Sequence, residues 1–324
     1  MRLINFRTPF FIKVEDENLD RATADIRVWS GSTRPANTTF ELRKDIIGSI
    51  NYVVFEIAEL ARDFVRDTFD GSYSTDVITV EVAITAFLTD NTSTTTTYTY
   101  IGLDGYDAFA DGMKYEDGTN SPPSNNTYLG SGVNVNGRIQ IPAVTGQGGV
   151  IPIFNNSSVE YVAFNSTDTD VTIGTTNYSI IRDDVYAKRG VTKITFKNKN
   201  GVLQDLYATR LNREKLNIAN REYVRNIVDY DSMSYNQHEH SKYKYNVKAN
   251  KTFQVNTGFL PQSFNEIVED MYLSEEVWIT TSRETAVPVI LNQKSQIFKT
   301  HVNEKLISYN WDFIRSNRVD NTIR

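Results

Sequence analysis

The sequence predicts an α+β fold, mainly antiparallel β, built as two β-sandwich-like units each with one packed amphipathic helix. Three observations carry this expectation. Runs of alternating apolar and polar residues recur along the 324-residue chain. The 18 tyrosines and 17 phenylalanines favour strands. Two stretches, residues 51–67 and 263–276, replace the alternation with helical spacing.

The elements follow in order. Residues 9–14 (PFFIKV) and 26–29 (IRVW) read as short strands, 31–37 (GSTRPAN) as a loop and 39–44 (TFELRK) as a further strand. In residues 51–67, Val53, Ile57, Leu60 and Phe64 recur at helical spacing, as do Val54, Ala58, Ala61 and Val65. That wide apolar face predicts an amphipathic helix lying on a sheet. Residues 77–89 alternate, with Ile78, Val80, Val82, Ile84, Ala86 and Leu88 on one side. The turn DNTS then returns the chain as a hairpin partner over 95–102.

Composition changes at residue 104. Residues 104–158 are rich in Gly, Asn, Ser and Pro, which predicts a protruding loop or a partner-binding arm. Strands resume at 159–164, 169–174 and 177–183, and 191–209 reads as a hairpin turning at NKNG. Residues 213–230 are ambiguous between helix and strand. In the last third, Ser263 and Glu266 stand at capping-box spacing before an apolar stripe of Phe264, Ile267, Val268 and Met271. Strands are expected at 251–260, 276–280, 287–291, 295–302 and 305–314, the last two joined by a tight hairpin at Asn303-Glu304. In the final strand Ile307, Tyr309, Trp311 and Phe313 share a face. The expected domains are therefore a β-rich 1–103 with one helix, a loop-rich insertion over 104–181 with short strands, and a β-rich 182–324 with one helix.

Composition narrows the chemistry. The chain has no cysteine, which excludes disulfides, zinc–thiolate sites, iron–sulfur clusters and a cysteine nucleophile. Its apolar runs are too short for a signal peptide or a membrane span, so synthesis in a cytoplasm and no membrane partner are expected. The net charge of −6 is unevenly spread: −11 over 1–181, +7 over 182–251 and −2 over 252–324. Faces of opposite charge suit contacts between copies of one protein.

Candidate sites are few. His238 and His240 stand two apart, as metal ligands on one strand would, but Lys242 and Lys244 would share their face and repel a cation. Glu56, Glu59 and Asp63 could serve acid–base chemistry, yet Arg62 and Arg66 beside them fit a solvated, ion-paired helix face. Asp168 and Asp170 resemble part of a calcium loop that lacks its remaining ligands. The glycine runs GSGVNVNG and GQGG fit neither a dinucleotide fingerprint nor a phosphate loop. The basic, tyrosine-bearing 182–251 segment has ingredients for nucleic acid, but eight acids interrupt it. No catalytic, cofactor or metal residue is assigned, no cofactor is expected, and neither enzymatic activity nor a nucleic-acid partner is expected.

Two stretches add a resemblance. VVFEIAELARDFV near the N-terminus is similar to a pattern in virion proteins of tailed bacteriophages. So is the C-terminal run TFKNKNGVLQDLY … VNTGFLPQSFNEIVEDMYLSEEVWITT … VPVILNQKSQIFKTHVNEKLISYNWDFIRSNRVDN. Together they cover roughly the first 100 and last 135 residues. The resemblance implies a structural subunit of the tail, baseplate or neck, located in the virion after synthesis in the bacterial host cytoplasm. It also implies partners: copies of itself, arranged as a ring, and other virion proteins. The acidic 1–181 part would then face the basic 182–251 part of the next copy. A different expectation is a glycan-binding or glycan-degrading component of a phage fibre, using exposed aromatic rings and a carboxylate pair.

Overall fold

The computed structural model describes residues 1–48, 50–119, 121–132, 134–183, 190–281, 284–298 and 306–317. They group into two compact units that alternate along the sequence. The first comprises Met1–Asp184, Ile194–Leu206 and Ser263–Glu275; the second comprises Val185–Lys193, Tyr207–Gln262 and Glu276–Arg324. The class is α+β and mainly antiparallel: of the strand pairs described, only β1–β7, β2–β8 and β11–β15 (ranges below) are parallel.

The front of the first unit is made by Arg2–Asn5 (β1), Phe10–Glu15 (β2), Leu19–Ser30 (β3), Phe40–Asp45 (β4), Tyr52–Glu56 (β5), Ile78–Leu88 (β6) and Ser93–Leu103 (β7). One sheet runs β1–β7–β6–β3–β4, while β2 pairs with β5 in a second. The period-two pattern sets the layers. Ala24 and Ile26 of β3 and Val80 and Val82 of β6 are buried in one core with Ile12 of β2 and Phe55 of β5. Each fully buried Ile or Phe in such a core contributes about 1.5–3 kcal/mol.

The helix expected over 51–67 is much shorter. Tyr52–Glu56 form β5, and only Ala58–Arg62 (α1) is helical. Val53, Val54 and Phe55 read equally well at period two, and β2 offers them an antiparallel partner. Pairing then decides what local preference leaves open. The Glu56 carboxylate marks the switch: its Oε1 accepts the backbone N–H of Ala58 at 2.8 Å and of Glu59 at 3.2 Å.

The next elements are Lys114–Tyr115 (β8), Thr127–Tyr128 (β9), Asn134–Val135 (β10), Arg138–Val144 (β11), Gly149–Asn155 (β12), Ser158–Phe164 (β13), Asp170–Ile173 (β14) and Thr176–Asp183 (β15). The expectation of a protruding loop over 104–158 is corrected here. Strands β11 and β12 bury Ile141, Ala143, Ile151 and Ile153 in a second core with Phe164, Ile173, Tyr178 and Ile180. Prolines disguised both strands. Pro142 lies in β11 opposite Ile181, beyond the short β10 pairing, so it has a described strand partner on one side only. A missing N–H is tolerated at such an edge.

Thr192–Lys197 (β16) and Leu203–Ala208 (β17) form the expected hairpin, turning at Asn198–Gly201. The helix Asn265–Leu273 (α2) also belongs to the first unit, which thus holds both α-helices of the described residues. Its Ile267, Val268 and Met271 are buried. The expected capping box does not form: the Ser263 hydroxyl donates to Gln140 Oε1 at 2.5 Å, and the Glu266 carboxylate accepts from Lys199 at 3.1 Å.

The second unit contains Leu211–Val224 (β18), Val228–Asp229 (β19), Ser234–Tyr235 (β20), Lys242–Asn256 (β21), Leu260–Pro261 (β22), Val277–Thr280 (β23), Val287–Leu291 (β24), Leu306–Ile307 (β25) and Asn310–Arg315 (β26). Its sheet runs β23–β24–β26–β21–β18, antiparallel throughout. The ambiguous stretch 213–230 is strand to Val224. Ile307, Tyr309, Trp311 and Phe313 are all buried, as their shared face requires, with the Tyr309 and Trp311 rings stacked 6.3 Å apart. Of the strand expected at 295–302, residues 295–298 are not strand; the remainder and the Asn303-Glu304 turn lie outside the described residues.

Candidate interaction surfaces

Three features of the molecule concentrate charge or exposed apolar surface. The first is internal. Asp104 ends β7 at the point where the loop after β1 passes it. Arg7 donates to it twice, Nε to Oδ1 at 3.0 Å and Nη2 to Oδ2 at 2.7 Å. Arg62 of α1 adds Nε to Oδ1 at 3.2 Å, and Lys197 of β16 lies 3.5 Å from Oδ2. Burial by itself would raise the Asp104 carboxyl. The hydrogen bonds and charge of Arg7, then Lys197 and Arg62, hold it below the usual carboxylate range.

Asp67 sits at the far side of Lys197, 3.9 Å from its ammonium. Its Oδ1 accepts the Asp76 N–H at 2.6 Å, while Oδ2 is buried with no hydrogen-bond partner among the described residues. Burial pushes its pKa up to about 6, against the pull of the Asp76 N–H and of Lys197. This cluster joins four separate sequence segments and has the chemistry of a structural clamp.

The second feature is an open, acidic cleft of about 440 Å³ in the same unit, lined by the 105–111 loop, the β16–β17 turn and α2. Asp107, Asp111, Glu266, Glu269 and Asp270 face it, against a single cation, Lys199. Burial would lower the Lys199 ammonium, but Glu266, then Asp270 and Asp111, hold it above its ordinary value. Asp270 is the fixed member, accepting from Tyr106 Oη at 3.3 Å, from the Ser131 hydroxyl and from the Lys199 N–H at 3.3 Å. Leu273 and Phe109 are exposed, the one lining the cleft and the other following Ala108, which lines it.

The third feature is a ribbon in the second unit. β18 and β21 pair from Leu211–Asn256 to Val224–Lys242, but β26 accompanies β21 only over Thr252–Asn256. Beyond Leu216–Lys251 the two strands run on without a third among the described residues. They extend for roughly 25–30 Å at about 3.3 Å per residue before the tip. Nine of the twenty exposed large apolar side chains among the described residues fall within 216–245, which marks this as a specific surface.

A bulge gives the ribbon two unlike faces. Between Ala219 and Arg221 the register slips, with Asn246 at φ +51° on the other strand. Beyond it Arg221 opposes Tyr245 and Tyr223 opposes Tyr243 on one face. The Tyr223 and Tyr243 rings stack 5.4 Å apart, and Tyr245 meets Tyr223 edge-on at 5.8 Å. The opposite face carries Leu216, Ile218, Lys244 and Lys242. Lys242 pairs with Glu222 and Lys251 with Glu214, whereas Lys215, Arg221, Lys244 and Lys248 have no carboxylate within 4.0 Å among the described residues.

The residues singled out in the sequence fall as follows. His238 lies in a turn and His240 in irregular chain before β21, so the two do not share a strand face with the lysines. His301 lies outside the described residues. Glu56 caps α1, and Arg62 leaves the helix face to bind Asp104 and Glu275, at 2.7 Å from the latter. Asp168 Oδ2 accepts the Asn165 N–H at 2.7 Å, whereas Asp170 binds Arg138 at 2.7 Å. No group of three or more His, Asp or Glu side chains among the described residues is arranged to hold a metal ion. No described helix is long and apolar enough to cross a membrane.

Sequence reading missed Asp104, Asp67 and the acidic cleft, whose members are 266 to 270 on one side and 107 to 111 on the other. Only the charge asymmetry hinted at them. The ribbon was foreshadowed by the basic, tyrosine-rich 182–251 segment. No known protein family matches the chain, and no curated protein is detectably related to it.

Proposed function

We propose that this protein is a non-catalytic structural subunit of a bacteriophage virion, of the tail, baseplate or neck. It assembles there with copies of itself in a ring and with other virion proteins, after synthesis in the bacterial host cytoplasm. The observation that carries the assembly part of this reading is the β18–β21 ribbon. An isolated two-stranded ribbon is marginal in water, and this one exposes apolar side chains on both faces. Such a surface makes physical sense when another chain covers it. The virion part rests on the resemblance of the two terminal segments.

Native mass spectrometry of the full chain at low and high salt tests this. Ring-sized oligomers that weaken as salt rises are expected, because the opposed charges are screened beyond about 10 Å at 0.1 M salt. A salt-independent monomer at high concentration overturns the reading. The ribbon tyrosines give the glycan-binding alternative its support, since exposed rings can stack on sugars. Tyr223 and Tyr243 already stack on each other, which leaves less ring face for a sugar.

A further inference from the structure

We infer that the ribbon of one copy docks in the acidic cleft of a second copy, an inference that rests on the self-assembly reading above. Lys114 pairs with Asp107 and Lys199 with Glu266, and Asp111, Glu269 and Asp270 leave the cleft with excess negative charge. On the tyrosine-bearing face of the ribbon, Arg221 opposes Tyr245 and Lys248 opposes Ala219, and neither has a carboxylate within 4.0 Å among the described residues. The apolar surfaces match in the same way. Tyr223 and Tyr245 are exposed on that same face, and Leu273 and Phe109 are exposed beside the cleft.

Size and edge chemistry set how the contact is made. A cleft of about 440 Å³ accommodates a few side chains and not the width of a ribbon. Arg221 and Lys248 therefore enter it while Tyr223 and Tyr245 pack on its rim. The outer edge of β18 carries Arg213, Glu214, Lys215, Arg221 and Glu222, and charges along an edge discourage strand addition. The ribbon consequently offers its faces and tip. Because the two patches differ, copies line up head to tail, the arrangement that closes into a ring when the rotation allows.

The test uses the full chain and compares association by analytical ultracentrifugation, with thermal melting as the folding control. Arg221→Glu/Lys248→Glu and Glu266→Lys/Glu269→Lys should each weaken association at least tenfold, and the four changes together should restore most of it. If the wild-type chain assembles and either charge reversal leaves association within twofold, the cleft assignment fails while self-assembly stands. A monomeric wild-type chain sinks both.

The absence of native cysteine supplies a second measurement that survives a poorly folding charge variant. Lys248→Cys and Glu269→Cys chains, mixed under mild oxidation, should yield a covalent dimer between unlike chains. No such dimer, or a crosslink within a single chain carrying both changes, overturns the proposal.

Discussion

Arg7 and Asp104, ninety-seven residues apart, form a two-point ion pair in which both side chains are nine-tenths buried, with N–O distances of 2.7 and 3.0 Å. Planar guanidinium matches planar carboxylate, so the pair fixes direction as well as distance. It ties the loop after β1 to the end of β7, and through Arg62 and Lys197 it also holds α1 and β16.

Removing Asp104 alone leaves three cations around a buried gap. Asp104→Ala should cost about 3–5 kcal/mol of stability, measured by urea unfolding, because unpaired buried charge is the larger part of the loss. Asp104→Asn keeps the acceptor and should cost less. The folded carboxyl titrates below its unfolded value, so its contribution is present above the unfolded pKa and is lost as pH falls through the folded one. Acid unfolding should therefore occur at a higher pH in Asp104→Asn if other groups fail first; equal acid transitions in both chains would remove Asp104 from that process.

Asp67 behaves in the opposite sense. Its folded pKa of about 6 lies above the unfolded value, so the native state holds the extra proton between about pH 4 and 6. Stability from this group is greatest at the acid end and falls as pH rises through 6. Asp67→Asn keeps the acceptor for the Asp76 N–H and removes the titration. At pH 7 it should gain roughly 1–2 kcal/mol after solvent screening is allowed for. A variant whose thermal midpoint keeps the wild-type slope between pH 4.5 and 7 would show that Asp67 does not titrate there.

Gly201 makes the clamp sensitive to one methyl group. It has φ +77°, and an added Cβ would come within 2.6 Å of the Asp104 and Gly105 backbone. Backbone cannot swing aside as a side chain does. Gly201→Ala should lose more than the roughly 1 kcal/mol expected of a left-handed glycine site alone, since overpacking adds about 1–3 kcal/mol. Chemical denaturation of the variant checks this, and a loss under 1 kcal/mol would mean the β16–β17 turn can shift away from Asp104.

The legible part of the fold is the part where pattern and partner agree. Strand β6 alternates over Ile78, Val80 and Val82, and all three are buried; Trp311 and Phe313 do the same on β26. Residues 52–56 mislead because Val-Val-Phe satisfies both periods, and only the edge of β2 decides. β11 was hidden by Pro142, which a strand side without a described partner tolerates, and β12 by Pro152, whose carbonyl still accepts from Leu129. The clamp and cleft were illegible for another reason. Asp104, Lys197 and Asp270 stand far apart in sequence, and each sits in a local context that any loop, strand or helix could carry. The ribbon fell between, since its tyrosines were visible while the lack of a third strand beside it among the described residues depends on where the β21–β26 pairing stops.

Trp311 tests the second unit's core. Its ring is fully buried between Tyr309 and Phe313, but Nε1–H has no hydrogen-bond partner among the described residues. Trp311→Ala should cost about 3–5 kcal/mol through the cavity. Trp311→Phe loses area yet also removes an unsatisfied buried donor, whose burial costs about 1–3 kcal/mol. It should therefore destabilise by clearly less than half as much in urea melts. Equal losses would imply that the indole N–H is satisfied by water.

The ribbon should be the region whose protection depends on concentration. Its ladder bonds are exposed to water along both faces, and local opening there breaks few buried contacts. In dilute monomer, amides of 216–224 and 242–251 should exchange with deuterium early, while Phe253 and Val255, backed by β26, exchange late. Upon assembly the ribbon amides should slow at least tenfold, because a covering chain removes the open state at no gain to the core. Hydrogen exchange followed by mass spectrometry across a dilution series separates the two segments. Ribbon amides as slow in the dilute monomer as in the assembly would mean that the ribbon is already covered within its own chain, and the argument that a second copy is needed to cover it would fall.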